Sequence, residues 1–187
     1  MRRIAFVMGV CFLAAMWVGC GEKGEAPAPK AEVSASAIAA IKLTKGDAKA
    51  FAEKIESLKG KVVLVDYWAT WCGPCVASFP HTVDIGKKYA DKGLTVVTMS
   101  FDDLKDENQV RAFLAQHDAG EFENMLSSYD GYNSECADAF KVGEGIPTLR
   151  LFDKAGKMVW ESTGAPRGAD EQQFHELIEK LLAEGGA

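Results

Sequence analysis

Basic charge is the first thing this chain has little of. With 21 Lys and Arg against 27 Asp and Glu its formal net charge is −6, and an acidic chain is a poor partner for nucleic-acid phosphates. Histidine is scarce too. His81, His117 and His175 stand far apart and in no ligand spacing, which argues against a zinc site with its four ligands. The five cysteines, Cys11, Cys20, Cys72, Cys75 and Cys136, share no regular spacing, which argues against the disulfide framework of a small secreted domain. There is no Pro-x-x-x-Thr-x-x-Cys setting for a peroxidatic cysteine, no C-x-x-x-C pair for carrying copper, and no internal repeat. What the chain does have is 48% hydrophobic content over 187 residues, enough for one sizeable core and one folded domain.

The N-terminus reads as an address. Met1-Arg2-Arg3 is a short basic head, and residues 4–18 form an apolar, uncharged run, the n-region and h-region of a signal segment. The run is shorter than the ~20 residues a spanning helix needs, which disfavours an uncleaved anchor. It ends in Val18-Gly19-Cys20-Gly21, which resembles the lipobox of bacterial lipoprotein signal peptides, with Trp17 where leucine is usual. The resemblance implies a signal peptide over residues 1–19, removed together with Cys11, and acylation of Cys20. Residues 21–36 are mostly Gly, Ala, Pro, Glu, Lys and Ser. They cannot bury enough apolar surface to offset their ordering entropy, so residues 20–36 read as the acylated cysteine and a flexible tether, and residues 37–187 as the folded domain.

Within that domain, residues 38–43 alternate weakly and suggest a strand, and residues 47–58 place Phe51, Ile55 and Leu58 at helical spacing. Residues 61–68 are a nearly unbroken β-branched and aromatic run, as expected of a central strand buried on both faces. A helix follows over residues 75–90, with Pro80 predicted to kink it. Residues 94–101 read as a second buried strand, 107–117 as a helix after the acidic loop at Asp102-Asp103, and 122–126 as a short strand. Residues 134–142 read as a helix capped by Ser134, 148–153 and 158–162 as an antiparallel hairpin, and 170–183 as a final helix. Alternating strands and helices argue for an α/β sheet with parallel pairs.

Trp71-Cys72-Gly73-Pro74-Cys75 is a dithiol between a buried strand and a helix, a setting for redox chemistry. Together, Val65-Asp66-Tyr67-Trp68-Ala69-Thr70-Trp71-Cys72-Gly73-Pro74-Cys75 and Gly145-Ile146-Pro147-Thr148 resemble the thioredoxin superfamily. The signal and tether, Phe79-Pro80 and the extra segment at 102–126 are most similar to its extracytoplasmic TlpA/ResA-type members. The resemblance covers about residues 37–184 and implies a thioredoxin fold, a central mixed β-sheet flanked by helices on both faces.

Only a thiolate attacks a disulfide, and the start of a helix favours the anion, which assigns the attack to Cys72. Cys75, one turn inward, is expected to be less exposed and to resolve the mixed disulfide. The Gly73-Pro74 interior resembles that of thioredoxin itself and implies a reductase. Asp66 stands where thioredoxins carry a buried aspartate; burial raises a carboxyl pKa, so it could deprotonate Cys75, the alternative being a hydrogen-bonded structural acid. ResA-type proteins place a glutamate where this chain has Ser78, and Thr98 aligns with a thioredoxin lysine. Pro147 resembles the family's cis-proline, which would offer the Ile146 backbone to an extended substrate, with Trp71 covering the edge of the site and Trp68 in the core.

Cys136 reads as a small buried hydrophobe or a third redox thiol. Arg150 is either a solvent-face charge or a groove residue. The histidines are expected at the surface, and Met99, Met125 and Met158 in the core. The expected function is a membrane-tethered extracytoplasmic thiol:disulfide oxidoreductase. It would be a monomer needing no cofactor or metal, acting on protein disulfides, with apocytochrome c the family-typical client and a membrane thiol-reducing partner as electron donor. The alternatives are a non-catalytic redox-regulated binding lipoprotein, or a disulfide oxidase or isomerase.

Overall fold

A computed structural model describes residues 33–184. The expected signal peptide, Cys20 and most of the expected tether lie outside the described residues. Among those described, no helix is long and apolar enough to cross a membrane.

The sheet grows outward from its most apolar strand. β2 (Val62–Trp68) is buried at every position, as its run of β-branched and aromatic residues requires of a strand covered on both faces. It pairs in parallel with β3 (Leu94–Ser100) and antiparallel with β5 (Thr148–Phe152). β4 (Glu123–Ser127) lies parallel beyond β3, and β1 (Leu43–Gly46) parallel beyond β4. β6 (Met158–Thr163) completes the hairpin with β5, giving the mixed order β1-β4-β3-β2-β5-β6.

Alternation along β2 separates two helical layers. Val63, Val65 and Tyr67 face α2 (Ala48–Ser57) and α5 (Ser134–Phe140), where Phe51, Ile55 and Phe140 meet them. Val62, Leu64 and Trp68 face the other side, which packs α3 (Gly73–Tyr89), α4 (Glu107–Gln116) and α6 (Ala169–Ala183) through Phe79, Ile85, Leu114, Phe174 and Ile178. α3 comes down tightly at Gly86, where a Cβ would stand 2.6 Å from Phe122 Cζ.

Several local expectations are corrected. Residues 38–43 do not begin with a strand. Ala35–Ala40 is a helix, α1, because its alanines favour that state and Ser34 caps it, accepting from the Ala37 N–H at 3.2 Å; the strand starts only at Leu43. α3 begins at Gly73, two residues earlier than expected, and runs through Pro80 as one helix. Asn133 rather than Ser134 caps α5, accepting from the Cys136 N–H at 2.9 Å; both residue types serve equally well there. Met158 lies on the edge strand β6 and is 46% exposed, unlike the buried Met99 and Met125. All three histidines are half-buried against α3, α4 or α6 side chains.

Candidate active site

The chain leaves β2 at Trp68 and turns through Ala69 and Thr70 into α3. The turn is clamped by Asp102, which is fully buried although its sequence context reads as an acidic loop. Its carboxylate accepts from Thr70 N–H at 3.0 and 3.1 Å, from Thr70 Oγ1 at 2.5 Å and from Ser100 Oγ at 2.6 Å. Gln109 Nε2 donates to Thr70 Oγ1 at 3.0 Å. The position of Cys72 is thus set by β3 and α4 as well as by its own strand.

Cys72 is the N-cap of α3, and its sulfur accepts from the Cys75 N–H at 3.3 Å. Pro74 sits in the first turn, where a missing N–H costs the helix nothing. Cys72 and Cys75 form a disulfide, with an S–S distance of 2.05 Å. Cys72 retains 6% exposure and Cys75 1%, the order expected of an attacking and a resolving thiol. Around Cys72 the surface is open: Trp71 is 57% exposed, and Gly73 and Pro74 are exposed beside it.

The other side of the site comes from the loop before β5. Gly145 adopts φ +105°, a left-handed conformation suited to glycine. The Ile146–Pro147 peptide is cis, as the resemblance implies. The Ile146 carbonyl oxygen stands 3.7 Å from Cys72 Sγ. Thr148 Oγ1 donates to Gly145 O at 2.7 Å, and Gly164 N–H to Pro147 O at 2.7 Å, tying the loop to the hairpin. Tyr132 links the two sides, with its ring centroid 6.4 Å from that of Trp71 and its hydroxyl donating to Val142 O at 2.8 Å.

Asp66 lies on the face of β2 that α3 covers and is 2% exposed. Burial pushes its pKa up to about 7, against the lowering effect of a hydrogen bond from Thr82. Thr82 Oγ1 donates to Asp66 Oδ2 at 2.6 Å, while Oδ1 is buried with no partner. Neither of the family's other polar groups is present: Ser78 Oγ donates to Cys75 O at 3.2 Å, and Thr98 Oγ1 donates to Asn124 Oδ1 at 2.8 Å.

The structure therefore brings Cys72, Cys75, Trp71, Gly73, Pro74, Ile146 and Pro147 together and sets Asp66 under α3. Cys20 lies outside the described residues. Arg150 is neither a solvent-face charge nor a groove residue. It is 7% exposed and donates to Glu161 at 2.5 Å, Phe140 O at 2.8 Å, Lys141 O at 2.6 Å and Tyr67 Oη at 3.2 Å. Cys136 is fully buried beside Ser127 Oγ at 3.6 Å, and burial raises its thiol pKa, an environment of low reactivity. The sequence reading missed Thr82, Asp102 and Tyr132; a threonine seven residues after Cys75, on the face of α3 that carries Phe79 and Val83, is the one trace of Thr82.

The Redoxin family model matches residues 26–178. A thiol-disulfide oxidoreductase ResA of Bacillus cereus is 31% identical over 128 residues, 68% of this chain and 68% of that protein. ResA of Bacillus subtilis is 29% identical over 133 residues, 67% of this chain and 64% of that protein. A solved structure of a candidate thiol:disulfide interchange protein DsbE from Chlorobium tepidum aligns with a TM-score of 0.52 at 31% identity, over 68% of this chain and 84% of that one.

Proposed function

The chain belongs to the Redoxin family as a ResA-like thiol:disulfide oxidoreductase of the thioredoxin superfamily, and from that premise we propose that it is a membrane-tethered extracytoplasmic reductase of protein disulfides. The observation that carries the reading is the Cys72–Cys75 pair at the start of α3, open on the Trp71 side and 3.7 Å from the Ile146 carbonyl.

The chemistry follows from that placement. In the reduced protein, Cys72 attacks a client disulfide as a thiolate, supported by the Cys75 N–H and the N-terminal end of the helix. One client sulfur leaves and the other stays bonded to Cys72. The client strand lies along Ile146 and Pro147, beside Trp71, Gly73 and Pro74. Asp66 takes the Cys75 proton, and Cys75 attacks Cys72, which closes the disulfide and frees the reduced client. A carboxyl with a pKa near 7 is suited to that exchange at neutral pH. Cys20, acylated, anchors the domain. A membrane thiol-reducing partner returns the dithiol to its reduced state, and clients include the haem-attachment cysteines of apocytochromes c.

The test is turnover. Fed with a dithiol, the full chain should reduce insulin disulfides or an oxidised CXXCH apocytochrome peptide, and Cys72→Ser should abolish this; full turnover in that variant would overturn the assignment. In cells, Cys75→Ser should trap clients as mixed disulfides at Cys72, and Cys20→Ser should move the trapped species out of the membrane fraction. Trapped species that carry no haem-attachment cysteines would remove the cytochrome branch, and unchanged membrane recovery would remove the anchor.

A further inference from the structure

The carboxyl assigned as base has one polar partner among the described residues, and it is a side chain outside the family motif. Thr82 is 1% exposed and lies seven residues after Cys75 on α3. Its hydroxyl donates to Asp66 Oδ2 at 2.6 Å, whereas Oδ1 is buried and unpartnered. Two other polar atoms of this layer, Trp68 Nε1 on β2 and His81 Nε2 on α3, are buried with no hydrogen-bond partner, and neither bonds Asp66. In the sheet, β3 places Thr98 beside Asp66, with its hydroxyl committed to Asn124, and β5 places Leu149 there. On α3, His81 turns to Glu171 of α6 at 3.8 Å. α6 meets this face with Phe174 and Ile178, while His175 and Glu179 bond Tyr89. On α4, Glu107 and Arg111 pair with each other.

We propose that Thr82 is a positioning residue for the resolving step: its hydroxyl holds the Asp66 carboxyl in one orientation and leaves Oδ1 as the oxygen that takes the Cys75 proton. This rests on the reading of Asp66 as the base. In that step the Asp66 carboxylate receives the Cys75 proton, the Cys75 sulfur bonds to Cys72, and the Cys72–client bond breaks. The client sulfur leaves with the electron pair as a thiolate and is protonated by solvent, and Asp66 later releases its proton. The client is reduced and the dithiol oxidised by two electrons. A hydrogen bond to a carboxylate favours the ionised form, so the same hydroxyl opposes the effect of burial and keeps Asp66 ionisable at neutral pH.

The experiment uses the reduced full chain carrying Cys11→Ser and Cys20→Ser, mixed with dithiobis(nitrobenzoate) in a stopped-flow cell across a pH series. The first released thiol reports attack by Cys72 and the second reports resolution by Cys75; Cys136 is buried and reacts apart from both. Thr82→Val should slow the second phase about tenfold at neutral pH and move its midpoint up by about one pH unit, as expected on losing a hydrogen bond to a charged group. The first phase should not change, and Thr82→Ser should restore the second to within about twofold. A carbon-13 titration of the Asp66 carboxyl should show the same upward move. A native second-phase profile in Thr82→Val overturns the proposal, as does equal slowing of both phases that Thr82→Ser does not restore. Asp66→Asn separates the two readings. If it leaves the second phase and its pH dependence intact, Asp66 is not the base and the Thr82 role goes with it; if it removes them while Thr82→Val behaves as native, only the Thr82 role falls.

Discussion

Two ionisable side chains lie buried near one another in the sheet, on opposite faces, and their surroundings differ sharply. Arg150 stands beside Val65 on the α2/α5 face and donates to Glu161, Phe140 O, Lys141 O and Tyr67 Oη, with its guanidinium 5.0 Å above the Tyr67 ring. Asp66 stands on the α3/α6 face with one hydroxyl for a partner and one bare oxygen. A buried charge with a partner at each of its nitrogens is locked in one protonation state and serves architecture, here by tying the end of α5 to the sheet ahead of the cis-proline loop. A buried acid left short of partners has its proton affinity moved toward neutrality by burial. That is a cost in stability that makes sense where a proton must move.

The largest expected effect tests the architectural half. Arg150→Met removes four donations at once and leaves the carbonyls of Phe140 and Lys141, at the C-terminal end of α5, without their partner. Breaking a buried ion pair costs ~3–5 kcal/mol; the lower end, about 3, is expected because Glu161 has 44% side-chain exposure and can turn to water. Urea unfolding should show this loss, while the resolving rate per folded molecule stays near native. A selective loss of resolution in this variant would break the contrast.

A smaller effect of opposite sign is expected at Asp66. Its folded pKa of about 7 lies above the ordinary aspartate value of 3.8, so between those values the folded state holds more protons than the unfolded one. Stability attributable to this group is then full at low pH and lost as pH rises through 7. The full shift corresponds to roughly 4 kcal/mol, but an amide in its place has its own unmet donors, so Asp66→Asn should gain about 2 kcal/mol above pH 8 and little below pH 4. Chemical denaturation at the two pH values measures it. An equal change at both would show that Asp66 is an ordinary hydrogen-bonded acid.

How much of this is legible in the chain depends on what each residue's partner is. Residues 62–68 announce a strand buried on both faces because every position must be apolar, and Asp66 is visible as the one break in that run. The Cys72–Cys75 pair and the cis bond at Pro147 are legible because each is marked by a short stretch of neighbouring sequence. Arg150 is not, since Leu149-Arg150-Leu151 reads as ordinary alternation and two of its partners are backbone carbonyls, which leave no mark in the side-chain pattern. Thr82 meets Asp66 across 16 residues, and a helical threonine carries no sign of that. The strand expected at 38–43 fails because short, weak alternation yields to alanine's helix preference and the Ser34 cap.

The smallest effect concerns Asp102, a third buried charge, which resembles Arg150 in being fully hydrogen-bonded but stands next to the chemistry as Asp66 does. In Asp102→Asn the remaining oxygen can still accept from Thr70 N–H and Oγ1, and Ser100 can rotate its hydroxyl to accept from the new amide. The loss should therefore be about 1 kcal/mol, one charge-assisted hydrogen bond made neutral. Any kinetic change should fall on the first thiol-release phase, because the clamp on Thr70 sets where Cys72 sits and does not touch the Cys75 proton. If satisfaction by partners is what separates structural from functional buried charges, Asp102→Asn will sort with Arg150→Met in stability and leave resolution native. Selective slowing of resolution would instead mean that nearness to the dithiol, and not the missing partner, marks Asp66.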